Sequence, residues 1–509
     1  MPTYKFKYGQ YVIDGGLFLK SSSANPAIAN YTDGKGRAFK HLSTFPDRST
    51  IKEALLDALQ KAKRYVFFTS FLIQDGQIIE ALIDAAERLR GHVYVLTTLK
   101  DQDFKAAAAQ DDDIFDDQEN FKEHIEGTKE LVRRGISVKA RTDCHAKFAV
   151  FDDRFAIITS ANSTSTCFDG IMQKNGWLRQ PNTENGVLIQ APAEVLRVAN
   201  FFRAIWRSAY NYYLKPNKKF FDLRTINIDI LPIRSSEPSL PSTEGQVIWT
   251  APEDCRILNN MLKMIESAQK SVCISSYILK GVENHRIGER LIQAAKRGVN
   301  IEFLLRGVYR KDHLASCLFL TKELKDRVVI RGDFGNHSKA LLVDNKQAML
   351  MSANIDAQHG LDSSVEVGYM STRPSFVKSV AGFLDRLRSI CGLEFIANPK
   401  QHDAALGFPT LAKPILSGDL IINADTKWEN RDRQINRMIS AMKTQLIRVA
   451  QPIESQPSKI CLLTDTMHAD CERKGQKTLS LKNINETPAA VNIRFQQILH
   501  EARIEIRVS

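Results

Sequence analysis

Apolar positions follow a helical period and then a strand period near the start of the chain. A capping box at Thr50–Glu53 opens a predicted helix, and a β-rich run, Tyr65–Phe71, comes after it. A second helix is predicted over Ile78–Leu89 and a second strand over His92–Leu96. Strands that alternate with helices of this length predict βαβ units, whose neighbouring strands run parallel.

The same order of elements returns in the second half of the chain. The pattern predicts a helix over Ile257–Ala268, a strand over Val272–Tyr277, a helix that includes Leu291–Gly298 and a strand over Val299–Leu305. A repeat of this size predicts two similar lobes. The expected fold class is therefore α/β, with a mixed, mostly parallel sheet flanked by helices in each lobe.

Two segments fall outside the repeat. Pro232–Gly245 is rich in Pro and Ser and is typical of a linker. The residues after 398 have no counterpart in the repeat, and their pattern is that of a mixed α+β segment. We therefore expect an N-terminal lobe at 1–231, a linker at 232–245, a C-terminal lobe at 246–398 and an extension at 399–509. The extension either recruits a protein partner or only covers the second lobe.

Composition narrows the class of protein. Of the 509 residues, 43% are hydrophobic and 25% are charged, which is typical of a globular protein and not of a disordered or coiled-coil chain. There is no apolar run long enough to span a membrane, and the first residues lack the apolar core of a secretion signal. The eight cysteines are scattered, so we expect reduced thiols and neither a disulfide framework nor a zinc site. Together these features predict a cytoplasmic protein.

The charge balance points to the kind of partner. The chain has 70 Lys and Arg against 58 Asp and Glu, a formal net charge of +12. Such an excess favours polyanionic partners, either nucleic acid or an anionic lipid surface.

Each lobe contains one long spaced motif, and the two copies have identical spacing. Both contain His-x-Lys, an Asp after four more residues, and a Ser-x-Asn segment beyond it. The first copy comprises His145, Lys147, Asp152, Ser160 and Asn162, and the second comprises His337, Lys339, Asp344, Ser352 and Asn354. Coincidence is a poor explanation for two matched copies.

The local pattern of each motif predicts a β-hairpin that collects polar groups on one face. In the first lobe Lys147–Phe151 forms one strand, Asp152 lies on the turn, and Phe155–Ser160 returns antiparallel. His145 and Lys147 are two residues apart in extended chain, so both side chains point to the same face. Downstream, Glu184 in the first lobe and Glu366 in the second offer carboxylates flanked by β-forming residues.

These residue types suit the cleavage of a phosphodiester. A neutral histidine can attack phosphorus and a protonated histidine can act as a general acid. Lysine and asparagine donate hydrogen bonds to the nonbridging oxygens of a phosphate, and a glutamate can fix the tautomer of a histidine ring. Two such half-sites facing each other would hold one phosphodiester between two histidines. The two lysines would supply the positive charge that many phosphoryl-transfer enzymes take from Mg²⁺.

The paired motifs resemble those of the phospholipase D superfamily, over roughly residues 45–215 and 250–392. That resemblance implies two lobes related by a pseudo-twofold axis, with one shared active site, no metal and no cofactor. One chain then suffices for one site. It also implies that His145 is the nucleophile and His337 the acid and base, and that both motif lysines and asparagines bind phosphate. Ser160 and Ser352 would support the site, and Glu184 and Glu366 would orient the histidines. We expect Asp152 and Asp344 to support the fold, since they fall on the turns.

One departure from the family pattern concerns the residue before each motif serine. The family usually has glycine there, whereas this chain has Thr159 in the first copy and Met351 in the second. Both positions are in extended chain, so the departure affects the local backbone more than the chemistry.

The motifs predict a reaction type and leave the substrate open. The positive charge favours a nuclease that acts on DNA or RNA, and a bacterial defence system is one setting that the family's habits suggest. The alternative is a soluble phospholipase D or phosphatidyl transferase. Arg306, Arg310 and Lys311 follow a strand that should end near the site; they either bind the nucleic-acid backbone or belong to an ordinary solvated loop.

Overall fold

The computed structural model describes most of the two predicted lobes and short parts of the rest. The described residues are 3–9, 17–20, 27–98, 118–172, 178–214, 221–224, 245–252, 254–307, 311–357, 359–397, 417–423, 471–473, 476–479 and 505–508. The chain divides into two compact units. The larger comprises Ser21–Arg306 and Phe319–Gly392, and the smaller comprises Met1–Lys20, Gly307–Leu318 and Leu393–Ser509. Nearly all of the predicted linker lies outside the described residues, so the boundaries at 231, 246 and 398 stay predictions.

Nine α-helices lie within the described ranges. They are α1 (Thr50–Lys61), α2 (Gly76–Arg88), α3 (Gln118–Arg133), α4 (Ser165–Phe168), α5 (Pro192–Arg207), α6 (Arg256–Ser267), α7 (Arg286–Lys296), α8 (Lys311–Leu324) and α9 (Pro374–Ile390).

The strands fall into a first and a second half of the chain. The first half has β1 (Thr3–Gly9), β2 (Leu17–Lys20), β3 (Phe39–Phe45), β4 (Arg48–Ser49), β5 (Val66–Thr69), β6 (Val93–Thr97), β7 (Ser137–Ala140), β8 (Phe148–Phe151), β9 (Phe155–Thr159), β10 (Ile171–Met172), β11 (Leu178–Arg179), β12 (Glu184–Ile189), β13 (Tyr210–Leu214) and β14 (Phe221–Arg224). The second half has β15 (Gln246–Ala251), β16 (Asp254–Cys255), β17 (Ser271–Ser276), β18 (Leu279–Lys280), β19 (Asn300–Arg306), β20 (Val328–Asp333), β21 (Ala340–Val343), β22 (Gln347–Met351), β23 (Ile355–Asp356), β24 (Glu366–Ser371), β25 (Leu393–Ile396), β26 (Ser417–Asn423), β27 (Cys471–Arg473), β28 (Gln476–Leu479) and β29 (Glu505–Val508).

The first lobe is built on one mixed sheet in the order β14-β13-β7-β6-β5-β8-β9-β12-β3-β4. Strands β5, β6 and β7 are parallel, which confirms the predicted βαβ connection through α2. From β5 outwards the pairing becomes antiparallel, through β8, β9, β12 and β3. The motif hairpin β8–β9 thus lies in the middle of the sheet, beside the parallel strands.

The second lobe repeats this order of strands. Strands β17, β19 and β20 are parallel, and β21, β22, β24 and β15 continue the sheet in antiparallel pairing. Each of these strands has a counterpart in the first lobe, so the predicted mixed α/β fold of two similar lobes is confirmed. The expected parallel majority is wrong, because only the strands joined by βαβ connections are parallel, whereas the motif hairpins and their neighbours pair antiparallel. In the smaller unit β26 lies between β1 and β29, and β2 pairs with β25.

Two layers of apolar residues hold the larger unit together. Leu55 of α1 and Leu82 of α2 pack with Phe68 of the first sheet. A second core brings Phe202 of α5 and Phe383 of α9 together with residues from both sheets. The helix that follows each motif therefore contributes to a core that the two lobes share. Each of these helices begins at a proline, whose fixed φ suits the first turn.

The predicted capping box at Thr50 is wrong in detail, although the helix begins where expected. Ser49 is the N-cap of α1, and its side chain makes no capping hydrogen bond. The Thr50 hydroxyl donates to the Asp33 carboxylate and accepts the backbone N–H of Ser43 at 2.9 Å. The hydroxyl therefore joins the helix to Asp33 and to Ser43 of β3, and it does not cap the helix.

Candidate active site

The motif aspartates lie on the hairpin turns and bind backbone. Asp152 has a φ of +54°, a left-handed conformation that Asp tolerates better than most residues. Its carboxylate accepts the backbone N–H groups of Lys63, Arg64 and Tyr65 at 3.0, 2.8 and 3.1 Å. These three groups lie just before β5, so Asp152 joins the motif hairpin to the neighbouring parallel strand.

Asp344 repeats the arrangement in the second lobe. It has a φ of +53°, and its carboxylate accepts the N–H groups of Gln269, Lys270 and Ser271, each at 2.8 Å. Burial tends to raise the pKa of Asp344, but the three backbone donors together hold it below its ordinary value. Both aspartates are therefore turn-stabilising residues.

Each motif histidine is oriented by the glutamate of the other lobe. His145 Nδ1 lies 2.7 Å from Glu366 Oε1, and His337 Nδ1 lies 2.7 Å from Glu184 Oε1. Both glutamates are completely buried. A carboxylate only accepts hydrogen bonds, so each Nδ1 carries the proton of its bond to the glutamate. The two half-sites are thus joined into one site by two crossed pairs.

The motif serines hold the second oxygen of each glutamate. The Ser160 hydroxyl donates to Glu184 Oε2 and the Ser352 hydroxyl to Glu366 Oε2. Each serine also accepts a backbone N–H from the glutamate strand, from Asn185 and Val367 respectively, at 3.0 Å. These bonds fix both carboxylates before any substrate arrives.

Both motif lysines are buried beside the histidine rings. Lys147 Nζ lies 2.9 Å from His145 Nε2 and 2.8 Å from the His145 carbonyl oxygen. Lys339 Nζ lies 2.9 Å from the His337 carbonyl oxygen, but 3.3 and 3.4 Å from the two ring nitrogens of His337. Lys147 therefore points to the lone pair of one nitrogen, whereas Lys339 lies over its ring.

The motif asparagines complete the polar surface. Asn162 and Asn354 are only 4% and 7% exposed. The Oδ1 atoms of both have no hydrogen-bond partner among the described residues. The site therefore holds polar groups that its own protein neighbours leave unused.

An aromatic ring packs edge-on against each histidine. The rings of Phe71 and His145 are 5.0 Å apart, and those of Tyr277 and His337 are 4.9 Å apart. Phe71 and Tyr277 occupy equivalent positions just beyond β5 and β17. Sequence reasoning assigned them only to strands, although their matching places in the repeat were a usable signal.

Backbone bonds between the lobes bring the two half-sites together. The N–H of His145 donates to the Val365 carbonyl oxygen, and that of His337 to the Thr183 carbonyl oxygen, both at 3.0 Å. The Asn185 side chain bonds both the N–H and the carbonyl oxygen of Lys339, at 3.2 Å each. Asn185 was missed as a site residue because its role depends on the facing lobe.

The departure from glycine before the motif serines is compensated across the sheet. Thr159 pairs with Gly186, and Met351 pairs with Gly368. A Cβ at Gly186 would lie 3.1 Å from the Thr159 Cβ, and one at Gly368 would lie 3.2 Å from the Met351 Cβ. The small residue thus lies on the partner strand, and the side chain on the motif strand.

The structure describes two of the three basic residues predicted near the end of β19. Arg306 ends β19 with its guanidinium over the Tyr277 ring, 5.1 Å from the ring centroid. It is 7% exposed, and the Tyr277 ring that it contacts packs in turn against His337. Arg310 lies outside the described residues, and Lys311 begins α8.

Two buried thiols lie near the histidine–glutamate pairs. Burial raises the pKa of Cys144, the residue before His145, to about 12. Burial and the nearby Glu184 carboxylate raise the pKa of Cys167 well above its ordinary value. Both residues are free cysteines.

Cys167, Glu184 and His337 offer ligand atoms within 4.8 Å of one another. Sequence reasoning missed this group, because its members come from three separate segments.

Comparison with known proteins identifies the family. A family model described as the PLD-like domain of cardiolipin synthase matches residues 55–206 and 261–388, more than half of the chain. The chain belongs to the phospholipase D-like family. Both matched segments contain one complete motif, which confirms the resemblance found in the sequence.

Three solved structures are similar to this phospholipase D-like chain to different extents. Phosphatidylserine synthase from Haemophilus influenzae is 12% identical, with a TM-score of 0.50 over 73% of this chain and 90% of its own. Nuc from Salmonella typhimurium is 23% identical, with a TM-score of 0.25 over 29% of this chain and 96% of its own. Polyphosphate kinase from Porphyromonas gingivalis is 13% identical, with a TM-score of 0.43 over 67% of this chain, and the chain spans just under half of that kinase, 46%. No curated protein matches the chain.

Among the described residues, every helix is too short or too polar to cross a membrane.

Proposed function

We propose that this protein is a phosphodiesterase that works through a phosphohistidine, without a metal at the chemical step, and that it cleaves DNA or RNA. The observation that carries the proposal is the crossed pairing of His145 with Glu366 and of His337 with Glu184, each at 2.7 Å. This pairing joins the two half-motifs into one site, in which we propose that both imidazoles act on one phosphate.

His145 is the nucleophile in this proposal. Its Nδ1–H donates to Glu366, and Lys147 Nζ at 2.9 Å is a donor to Nε2. A lysine ammonium cannot accept a hydrogen bond, so this contact requires a lone pair on Nε2. A lone pair on that nitrogen is what attack on phosphorus needs.

His337 is the general acid and base. Lys339 lies nearly equidistant from its two ring nitrogens, so it does not reserve the Nε2 lone pair as Lys147 does. In this proposal His337 Nε2 carries the proton that the leaving oxygen takes. This difference between the two lysines supports the assignment of roles.

The reaction then runs in two balanced steps. His145 Nε2 forms a bond to phosphorus as the bond from phosphorus to the leaving oxygen breaks, and that oxygen takes the proton of His337 Nε2. Water next attacks phosphorus and gives its proton to His337 Nε2, while the phosphorus–nitrogen bond breaks. Lys147, Lys339, Asn162 and Asn354 would donate to the nonbridging oxygens in both steps.

Nucleic acid is the proposed substrate because of charge. The net charge of +12 favours a polyanion, and the Arg306 guanidinium lies over the Tyr277 ring, which packs edge-on against His337. We propose that Arg306 strengthens the binding of phosphates next to the one that is cleaved. Arg310 and Lys311 stay predictions for the same role, as does recruitment of a protein partner by 399–509.

A phospholipid is the second candidate substrate. The matching family model is named for cardiolipin synthase, and a phosphatidylserine synthase shares the fold. On this alternative the same two steps would hydrolyse a phospholipid or transfer its phosphatidyl group to an alcohol.

One set of incubations separates the candidates. Purified protein is mixed, in EDTA, with labelled single- and double-stranded DNA, with RNA and with phosphatidylglycerol vesicles. We expect cleavage of nucleic acid that is lost in His145→Ala and kept in His92→Ala, since His92 is exposed and remote in sequence from both motifs. Turnover of lipid alone would reject the nuclease, and a strict need for Mg²⁺ in the chemical step would reject the metal-free mechanism.

A further inference from the structure

Cys167 forms a compact group with one of the two crossed pairs. Its Sγ, a carboxylate oxygen of Glu184 and a ring nitrogen of His337 all lie within 4.8 Å of one another. All three residues are buried, with exposures of 3%, 0% and 3%. They come from α4, β12 and the segment before β21, so both lobes contribute.

The donor set matches that of a transition metal. Thiolate sulfur, imidazole nitrogen and carboxylate oxygen are the three ligand types that zinc takes in proteins, and three protein ligands leave a fourth position open. A thiolate and a carboxylate carry two negative charges, which a divalent ion neutralises. A buried site favours such a balance, because unpaired charges are costly there.

The other crossed pair does not offer this set. Cys144 lies next to His145 in the chain, yet within the described ranges no group of three potential ligands forms around His145 and Glu366. The difference can be read from the motifs. Five residues after Asn162 comes Cys167, whereas five residues after Asn354 comes His359, which is exposed.

We propose that Cys167, Glu184 and His337 bind a zinc ion, and that the ion inhibits the proposed phosphodiesterase. The ion replaces the thiol proton, which is released, and binds His337 through Nδ1, the nitrogen that faces Glu184. The Nδ1 proton is released as the ion binds, and His337 is then a neutral imidazole that keeps its proton on Nε2. Such a ring is a weak acid and has no lone pair at Nε2, so His337 can neither protonate the leaving oxygen nor activate water.

Cobalt reports on this site without any activity measurement. The metal-free full-length protein is titrated with Co²⁺, and we expect one ion per chain with a near-ultraviolet thiolate-to-cobalt charge-transfer band. The band should be absent in Cys167→Ser and present in Cys144→Ser, the matched control at the other pair. Added Zn²⁺ should remove it. Circular dichroism checks folding, and Cys167→Ala is the second variant should the serine variant unfold.

Inhibition is measured on each variant relative to its own metal-free rate. We expect Zn²⁺ to inhibit the wild-type protein and Cys144→Ser alike, and to require at least a tenfold higher concentration for Cys167→Ser. A wild-type protein with no charge-transfer band, or a band that survives in folded Cys167→Ser or Cys167→Ala, would overturn the zinc site.

This inference rests in part on the proposed function, and the two readouts separate them. A cobalt band that depends on Cys167, in a protein that cleaves no phosphodiester, would leave the metal site standing and reject the proposed function. Cleavage in EDTA without a cobalt band would support the proposed function and reject the metal site. Equal zinc inhibition of the wild-type protein and Cys167→Ser, beside a Cys167-dependent band, would reject inhibition through this site.

Discussion

The Glu366 carboxylate of the second lobe lies 2.7 Å from Nδ1 of His145 in the first, although 221 residues separate them. Glu366→Gln keeps the size of the side chain but removes the charge that holds the His145 tautomer. We expect the rate of phosphodiester cleavage to fall by a factor of about 10²–10⁴, as loss of an orienting carboxylate does in other histidine-dependent enzymes. Glu87→Gln is the control, since Glu87 is 69% exposed. A rate within twofold of wild type would contradict the role of Glu366.

The crossed pairing predicts which histidine fails in each glutamate variant. His337→Ala and Glu184→Gln should slow cleavage of an ordinary diester by about 10²–10⁴, because they affect general acid catalysis. With a p-nitrophenyl diester, whose leaving group needs no proton, we expect both variants to keep a burst of p-nitrophenol from the first turnover. Glu366→Gln and His145→Ala should lose that burst, since they affect the attacking nitrogen. Stopped-flow absorbance measures it. A burst lost in Glu184→Gln and kept in Glu366→Gln would mean that each glutamate serves the histidine of its own lobe.

The spacing of the motifs was enough to name most residues of the candidate site, because those residues are close in sequence. His145 and Lys147 share a face through the period of a strand, and the return strand brings Ser160 beside them. The prediction of two lobes with βαβ connections is confirmed for the same reason, since each unit is a local pattern of about 30 residues.

What the sequence could not show depends on contacts across the lobes. Glu184 lies 39 residues from His145 in the chain and 153 from His337, yet it binds His337. No periodicity within one lobe encodes that choice, because it follows from how the two sheets face each other. The same applies to Asn185, which bonds the backbone of Lys339, and to Cys167. The prediction of a capping box at Thr50 was wrong for a related reason, since the Thr50 hydroxyl donates a hydrogen bond to Asp33, which lies outside the helix.

The turn aspartates should matter for stability and not for chemistry. Asp152→Asn removes the charge from a carboxylate that accepts three backbone N–H groups, and we expect it to lower the free energy of unfolding by about 1–3 kcal/mol. Urea denaturation followed by tryptophan fluorescence measures the loss. The neighbouring Asp153→Asn is the control, because Asp153 pairs with Arg64 at the surface and should cost about 0–1 kcal/mol. Cleavage per folded molecule should be unchanged in Asp152→Asn, and a large loss of it would assign Asp152 to the chemistry.

Arg306 offers a test of nucleic-acid binding. Arg306→Gln should weaken binding of an oligonucleotide by about tenfold at moderate salt, and reduce the slope of log affinity against log salt by about one. Fluorescence anisotropy in His145→Ala, where no cleavage interferes, measures both quantities. Arg327→Gln is the matched control, since Arg327 is exposed and bonds Gly298 and Asn300. An unchanged salt slope in Arg306→Gln would show that Arg306 does not contact phosphate.

Acid should destabilise the larger unit through His41, which is completely buried between Tyr31 and Ser379. Burial lowers its pKa from 6.5 to about 4, so between these values the unfolded chain binds a proton that the folded chain does not. Stability from this group is therefore present above pH 6.5 and is lost as the pH falls towards 4. Between pH 7 and pH 5 the loss should be about 2 kcal/mol.

The fall in melting temperature between pH 7 and pH 5 measures this loss. His41→Gln should show a shallower fall than wild type, whatever its stability at pH 7, because the variant has no group to titrate at that position. His92→Gln should keep the wild-type slope, since His92 is exposed. Equal slopes in His41→Gln and wild type would mean that His41 does not titrate between these pH values. A steeper slope in His41→Gln would reverse the sign, and would mean that the folded protein binds the His41 proton more tightly than the unfolded chain does.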